Sequence, residues 1–156
     1  MLIASFRAPL AAADFASRND ATSVSGTSLV FMRGADWTPG EAPLLAMQGG
    51  IVDRRRGRLM TPHEIAQRLV TEGDQAMADW APPFRLAWLK GETANVAADA
   101  GGMGHWFYWQ GEGVAVMAST ATAIARAFGL GVDREALGSL ALTGMVIDDL
   151  SIAAGV

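Results

Sequence analysis

The side chains able to do chemistry in this chain are few, and most stand beside glycines. Asp99 precedes Gly101-Gly102-Met103-Gly104, and Gln48 precedes Gly49-Gly50. Arg33 lies in Met32-Arg33-Gly34-Ala35-Asp36, and Arg54-Arg55-Arg56 with Arg58 forms the one basic cluster. A carboxylate at a strand end before a glycine turn can accept backbone N–H bonds, so Asp99 reads as a turn-fixing residue. The arginine cluster is short and sits in a turn, which reads as a solvated loop. Gly101-Gly102-Met103-Gly104 is not followed by Lys-Ser/Thr and opens a strand, so it is no phosphate cradle. The chain has no cysteine, which removes disulfides, thiolate metal sites and thiol nucleophiles together. With two histidines, His63 and His105, zinc would need carboxylate help, and no ligand spacing suggests a metal site. His63 falls in a polar first helical turn and reads as solvated.

The elements that must position these residues centre on Phe84 to Phe128. Phe84–Leu89, Asn95–Ala98, Trp106–Trp109 and Val114–Ala118 read as four short strands separated by glycine turns. Their apolar, β-branched and aromatic runs predict antiparallel hairpins with one buried face. Trp106 and Trp109 point to opposite sides of their strand. One aromatic pair is therefore core, and the other is either a contact surface or a second buried face. Thr120 to Phe128 is helical, with Ser119 as cap and Gly129 as stop. Asp133 caps a further helix, Arg134 to Thr143, closed by Gly144.

Upstream, Leu2–Phe6, Leu29–Met32 and Leu44–Met47 read as strands. Pro9 to Ser17 is alanine-rich and suits a helical turn. Arg18 to Ser28 is polar and turn-like, and Arg33 to Pro43 is a loop. Thr61-Pro62-His63-Glu64 is the clearest local signal: a capping threonine, a proline at the first helical position and a glutamate three residues after the cap. The helix that follows is expected to carry Ile65, Leu69 and Val70 on one face and to end at Gly73. Asp74 to Trp80 predicts another short helix before Pro82-Pro83 stops it.

A length of 156 residues suits one domain with a real core. Hydrophobic residues make up 51%, and no apolar run approaches the ~20 residues that span a bilayer, so no membrane partner is expected. A formal net charge of −4 gives no reason to expect nucleic acid. Met1 to Arg7 lacks the charged start and long apolar core of a signal peptide, which makes the cytoplasm the expected location.

Ala98-Asp99-Ala100-Gly101-Gly102, then Phe107-Tyr108, then Met117-Ala118-Ser119-Thr120 resemble a run in the asparagine synthase-like family. That run reads Arg-Asp-x-x-Gly, an aromatic pair, then Phe-Ala-Ser-Glu opening a helix, in the amino-terminal class II glutamine amidotransferase domain. Met47-Gln48-Gly49-Gly50-Ile51 resembles the family's Asn-Gly-Glu-Ile loop, with Gln for Asn and Gly for Glu. The likeness runs from about Leu44 to the end, and the family's Arg and Glu are gone. It implies an α+β fold, a four-layer αββα sandwich of the N-terminal nucleophile hydrolase type. It also implies binding positions at Arg33, Gln48, Gly49, Asp99 and Gly102. Met32-Arg33-Gly34-Ala35-Asp36 is similar to the family's substrate-holding Arg-Gly-Pro-Asp, but lies closer to Gln48 than the family pattern puts it. Gln48 and Gly49 stand where the family forms its oxyanion hole. The family's acidic residue for the glutamine amine would fall near Thr61-Pro62, where no carboxylate precedes Glu64.

The family's glutaminase needs a cysteine exposed by removal of Met1, whose free amine is base to its own thiol. Position 2 is Leu here, so glutamine hydrolysis is not expected and no residue is assigned as catalytic. Loss of that cysteine with retention of the scaffold resembles the lasso-peptide cyclases, as does Gly57-Arg58-Leu59-Met60-Thr61-Pro62-His63-Glu64-Ile65-Ala66. Those enzymes activate an Asp or Glu side chain of a precursor peptide with ATP and close a macrolactam, and they need no ammonia. The leading expectation is therefore a single inactive amidotransferase-like domain, residues 1–156. The resemblance implies as partners a synthetase domain of the same polypeptide or complex and a precursor peptide. No cofactor is expected in this chain, because ATP and Mg belong to the synthetase domain and its Ser-Gly-Gly-x-Asp-Ser motif is absent. The alternatives are a free-standing binding module of the same fold, or part of a glutamine-hydrolysing asparagine synthase.

Overall fold

The computed structural model describes residues 1–19, 21–23, 29–32, 36–37, 45–90, 93–101, 104–111, 113–143, 153 and 155–156. In chain order the elements begin with β1 (Leu2–Phe6), α1 (Pro9–Arg18), β2 (Ala21–Ser23), β3 (Leu29–Met32), β4 (Asp36–Trp37) and β5 (Leu45–Gln48). Then come β6 (Val52–Asp53), β7 (Arg58–Leu59), α2 (Pro62–Glu72), a 3-10 turn (Gly73–Asp79) and β8 (Trp80–Ala81). The chain continues through β9 (Arg85–Lys90), β10 (Thr93–Ala98), β11 (Phe107–Gly111), β12 (Val114–Ala118), α3 (Ala121–Phe128) and α4 (Arg134–Thr143). The fold class is α+β: the named strands pair antiparallel throughout, and helices pack beside them. No helix among the described residues is long and apolar enough to cross a membrane.

Two compact units divide the chain, Met1–Arg33 with Trp106–Val156, and Gly34–His105. In the first, the strand order β11-β12-β1-β3-β2 places the start of the chain beside β12. Leu2 faces Ala118, and Ala4 faces both Val116 and Val30. Residues opposed in an antiparallel ladder share a sheet face, so these five side chains lie together. They are all buried, with Ile124 of α3 packed on Leu2, Ala4, Val116 and Ala118. Ala12, Phe15 and Ala16 of α1 pack on Val30, and the Phe15 ring stacks on Phe128 at 4.8 Å. Helices α1 and α3 thus cover one face of the five-stranded sheet. Ile3, on the other face, is also buried.

The second unit holds a four-stranded sheet, β10-β9-β5-β4, and a small one, β7-β6-β8. Leu45 faces Trp88 and Met47 faces Leu86, which gives one apolar face. Onto it pack Ile65, Ala66 and Leu69 of α2, together with Ala76, Trp80 and Phe84. Burying a leucine of this kind stabilises by roughly 1.5–3 kcal/mol. Ala46 and Ala87, opposed on the other face, are buried as well.

Several sequence expectations need correction. The polar stretch from Arg18 to Ser28 contains β2, and the loop from Arg33 to Pro43 contains β4. Neither has strong strand propensity; each is a strand because β3 or β5 supplies a partner ladder. Val70 does not share the buried face of α2 but is 65% exposed, because Ala66 takes its place in the stripe. The segment after α2 winds as a 3-10 turn, with Trp80 already in β8. Thr120, not Ser119, caps α3: its side chain accepts from the Ala123 N–H at 3.2 Å. As expected, the four central strands form antiparallel hairpins, β9-β10 and β11-β12, and the two fall in different units. Gly144, expected to close the helix from Arg134 to Thr143, lies outside the described residues.

Candidate functional site

Three of the five expected site residues converge on one short segment, Pro83-Phe84-Arg85. Gln48 ends β5 and lies opposite Arg85 in the ladder, where its side-chain carbonyl accepts from the Arg85 guanidinium at 3.1 Å. Gly49 follows with φ +90°, and a Cβ there would stand 2.7 Å from the Pro83 carbonyl oxygen. Only glycine fits that turn. Asp99 sits at the end of β10, 5% exposed. Its carboxylate accepts from the Phe84 N–H at 3.3 Å and from the Gly101 N–H at 3.0 Å. Its own N–H donates to the Phe84 carbonyl at 3.2 Å. Gly104 closes the cluster, since a Cβ there would come within 2.5 Å of the Phe84 carbonyl oxygen and 3.2 Å of the Asp99 carboxylate. Arg33 and Gly102 lie outside the described residues.

Arg85 is the member of this cluster that the sequence reading passed over. Its signal was a lone charge at the head of an apolar strand, which also suits a solvated strand end. Arg85 Nε is buried with no hydrogen-bond partner among the described residues. The cluster therefore combines a buried, engaged carboxylate, a side-chain amide and a guanidinium with donor capacity to spare. Such a set can bind a polar or anionic group. It holds no nucleophile.

At the chain start, the Met1 amino group donates to Ser119 Oγ at 2.9 Å, and the Ser119 N–H donates to the Met1 carbonyl at 2.9 Å. That pairing is what occupies the serine assigned to capping. Leu2 is 1% exposed in the core of its unit. Of the aromatic strand, Phe107 and Trp109 pack on the same core cluster as Leu2, and Trp109 lies 4.8 Å from the Phe128 ring. Tyr108, 51% exposed, is the side chain turned outward, and its hydroxyl donates to Gln110.

A second polar site surrounds the arginine turn between β6 and β7. Asp53 is 3% exposed, and its carboxylate accepts from the N–H groups of Arg55 and Arg56 at 2.9 and 3.1 Å. Burial pushes its carboxyl up, but these backbone donors and the charges of Arg68 and Arg56 outweigh that, leaving it below the ordinary value. Arg68 donates to Asp53 at 3.3 Å and grips Glu72 through two bonds of 2.8 and 2.7 Å. Arg58 pairs with Glu64, which also accepts from the Thr61 N–H at 2.9 Å. The Arg58 bond foremost, then the Thr61 N–H, lower the Glu64 carboxyl from 4.5 to about 2. An open groove of about 440 Å³ runs through this network. The i,i+4 spacing of Arg68 and Glu72 was legible beforehand; the burial of Asp53 was not. No group of histidine and acidic residues suited to a metal ion occurs among the described residues. The chain matches no known family model and no curated protein.

Proposed function

We propose that this chain is the amidotransferase-like domain of an asparagine synthase-like enzyme of the lasso-peptide cyclase kind, inactive as a glutaminase and serving to support or contact a peptide. In this reading the fold is a four-layer αββα sandwich, and ATP-dependent activation of an Asp or Glu side chain takes place in a synthetase domain. The observation that carries it is the convergence of the adjacent pair Gln48-Gly49 and the distant Asp99 on Pro83-Phe84-Arg85, all three positions taken from the resemblance. The layering of each unit, a sheet with helices on one face, supports the fold. Leu2 supports the inactivity, because an apolar side chain packed in the core offers neither nucleophile nor space for one.

Two measurements test this. The purified chain incubated with glutamine should release no ammonia above the uncatalysed rate; release above that rate overturns the inactivity. The coding sequence adjoining codon 156 should continue into a Ser-Gly-Gly-x-Asp-Ser frame, and a full-length enzyme should then consume ATP only with a precursor peptide. A stop codon there, or ATP turnover indifferent to peptide, sinks the cyclase reading.

A further inference from the structure

We propose that the groove beside the β6–β7 turn is a binding site for a single carboxylate, gripped by Arg56 with Arg55 beside it. At about 440 Å³ the groove has the size of a small-ligand site. Its own acids are already engaged: Asp53 by two backbone N–H groups and Arg68, Glu72 by two donors of Arg68, and Glu64 by Arg58 and Thr61. Arg68 is likewise committed, to Asp53, Glu72 and Asp79. Arg55 keeps one partner, Asp79 at 2.9 Å.

Arg56 differs from the others. Its side chain is 65% exposed, and its single ion pair among the described residues is with Asp53 at 3.9 Å, beyond hydrogen-bond range. That fork is therefore open to a bidentate carboxylate. Gln67, also lining the groove, has a side-chain amide without a partner among the described residues and can donate to the same ligand. Charge balance selects the kind of anion. The groove carries three acids, Asp53, Glu64 and Glu72, against Arg55, Arg56 and Arg68. A singly charged carboxylate matches the one open fork, whereas a phosphate dianion meets about twice the repulsion from Glu64 and Glu72.

Titration of the full chain, observing the Arg55 and Arg56 side-chain N–H resonances, tests the assignment with three probes: N-acetylglycine, a capped peptide with one internal glutamate, and inorganic phosphate. Saturable shifts with both carboxylates, weaker ones with phosphate, and an affinity loss of about tenfold in Arg56→Gln are expected. Arg56→Lys keeps the charge but loses the fork, and should fall between the two. Tighter binding of the peptide than of N-acetylglycine places the carboxylate on a polypeptide; equal binding places it on a free acid. Absence of saturation with both carboxylates, preference for phosphate, or binding indifferent to Arg56→Gln overturns the proposal.

Discussion

Glu64 does two jobs through one carboxylate: it closes the capping box of α2 by accepting from the Thr61 N–H, and it pairs with Arg58. Its carboxyl accordingly lies at about 2 in the folded chain, against about 4.3 for an unpaired glutamate. A folded value below the unfolded one contributes stability that is fully present above about pH 4.3 and is lost as pH falls toward 2. The stability difference between the native chain and Glu64→Gln should therefore shrink across that window and vanish below it. Denaturant unfolding at pH 6, 4, 3 and 2 measures this, and a difference constant with pH would refute it. The spacing of Thr61 and Glu64 made the cap legible from the sequence. Arg58 as partner was not, because a flexible side chain six positions away can face anywhere until β7 and α2 are fixed.

Among the elements, α2 was the best read from sequence, since proline, cap and stop are all local signals. Its N-terminus rests on Thr61 Oγ1 accepting from the Glu64 N–H at 3.3 Å. Thr61→Ala removes that acceptor and should cost about 1 kcal/mol, with Thr61→Ser restoring most of it. Equal unfolding midpoints for Thr61→Ala and the native chain would show that the cap contributes nothing. The start of α3 was misplaced by one residue, because Ser119 and Thr120 are both good caps and only the Met1 pairing decides between them. Strands β2 and β4 were missed for a related reason. A two- or three-residue strand is defined by its neighbour's ladder, not by its own side chains.

At the scale of the whole molecule, stability resides in core clusters held within each unit. Leu86 is fully buried in the cluster that α2 covers, whereas Leu10 of α1 is 86% exposed. Leu86→Ala should cost about 2–5 kcal/mol, and Leu10→Ala should stay within about 0.5 kcal/mol. Chemical denaturation of the two variants separates them, and comparable losses would contradict the assigned core. By itself the amino-acid sequence determined the hairpins β9-β10 and β11-β12, the capped helix α2, the apolar residues that fill the sheets and the lack of any thiol chemistry. All of these are set by contacts within a few residues or by composition. Tertiary structure alone decided that β1 lies between β12 and β3, that the four central strands divide between two units, and that Gln48, Gly49 and Asp99 meet at Phe84-Arg85. The pairings of β1, and of Gln48 and Gly49 with Pro83-Phe84-Arg85, join positions tens of residues apart, while Asp99 reaches Phe84 across 15 residues where the β9-β10 ladder closes. Their free energy comes from ladders and burial that exist only once the chain has folded back on itself.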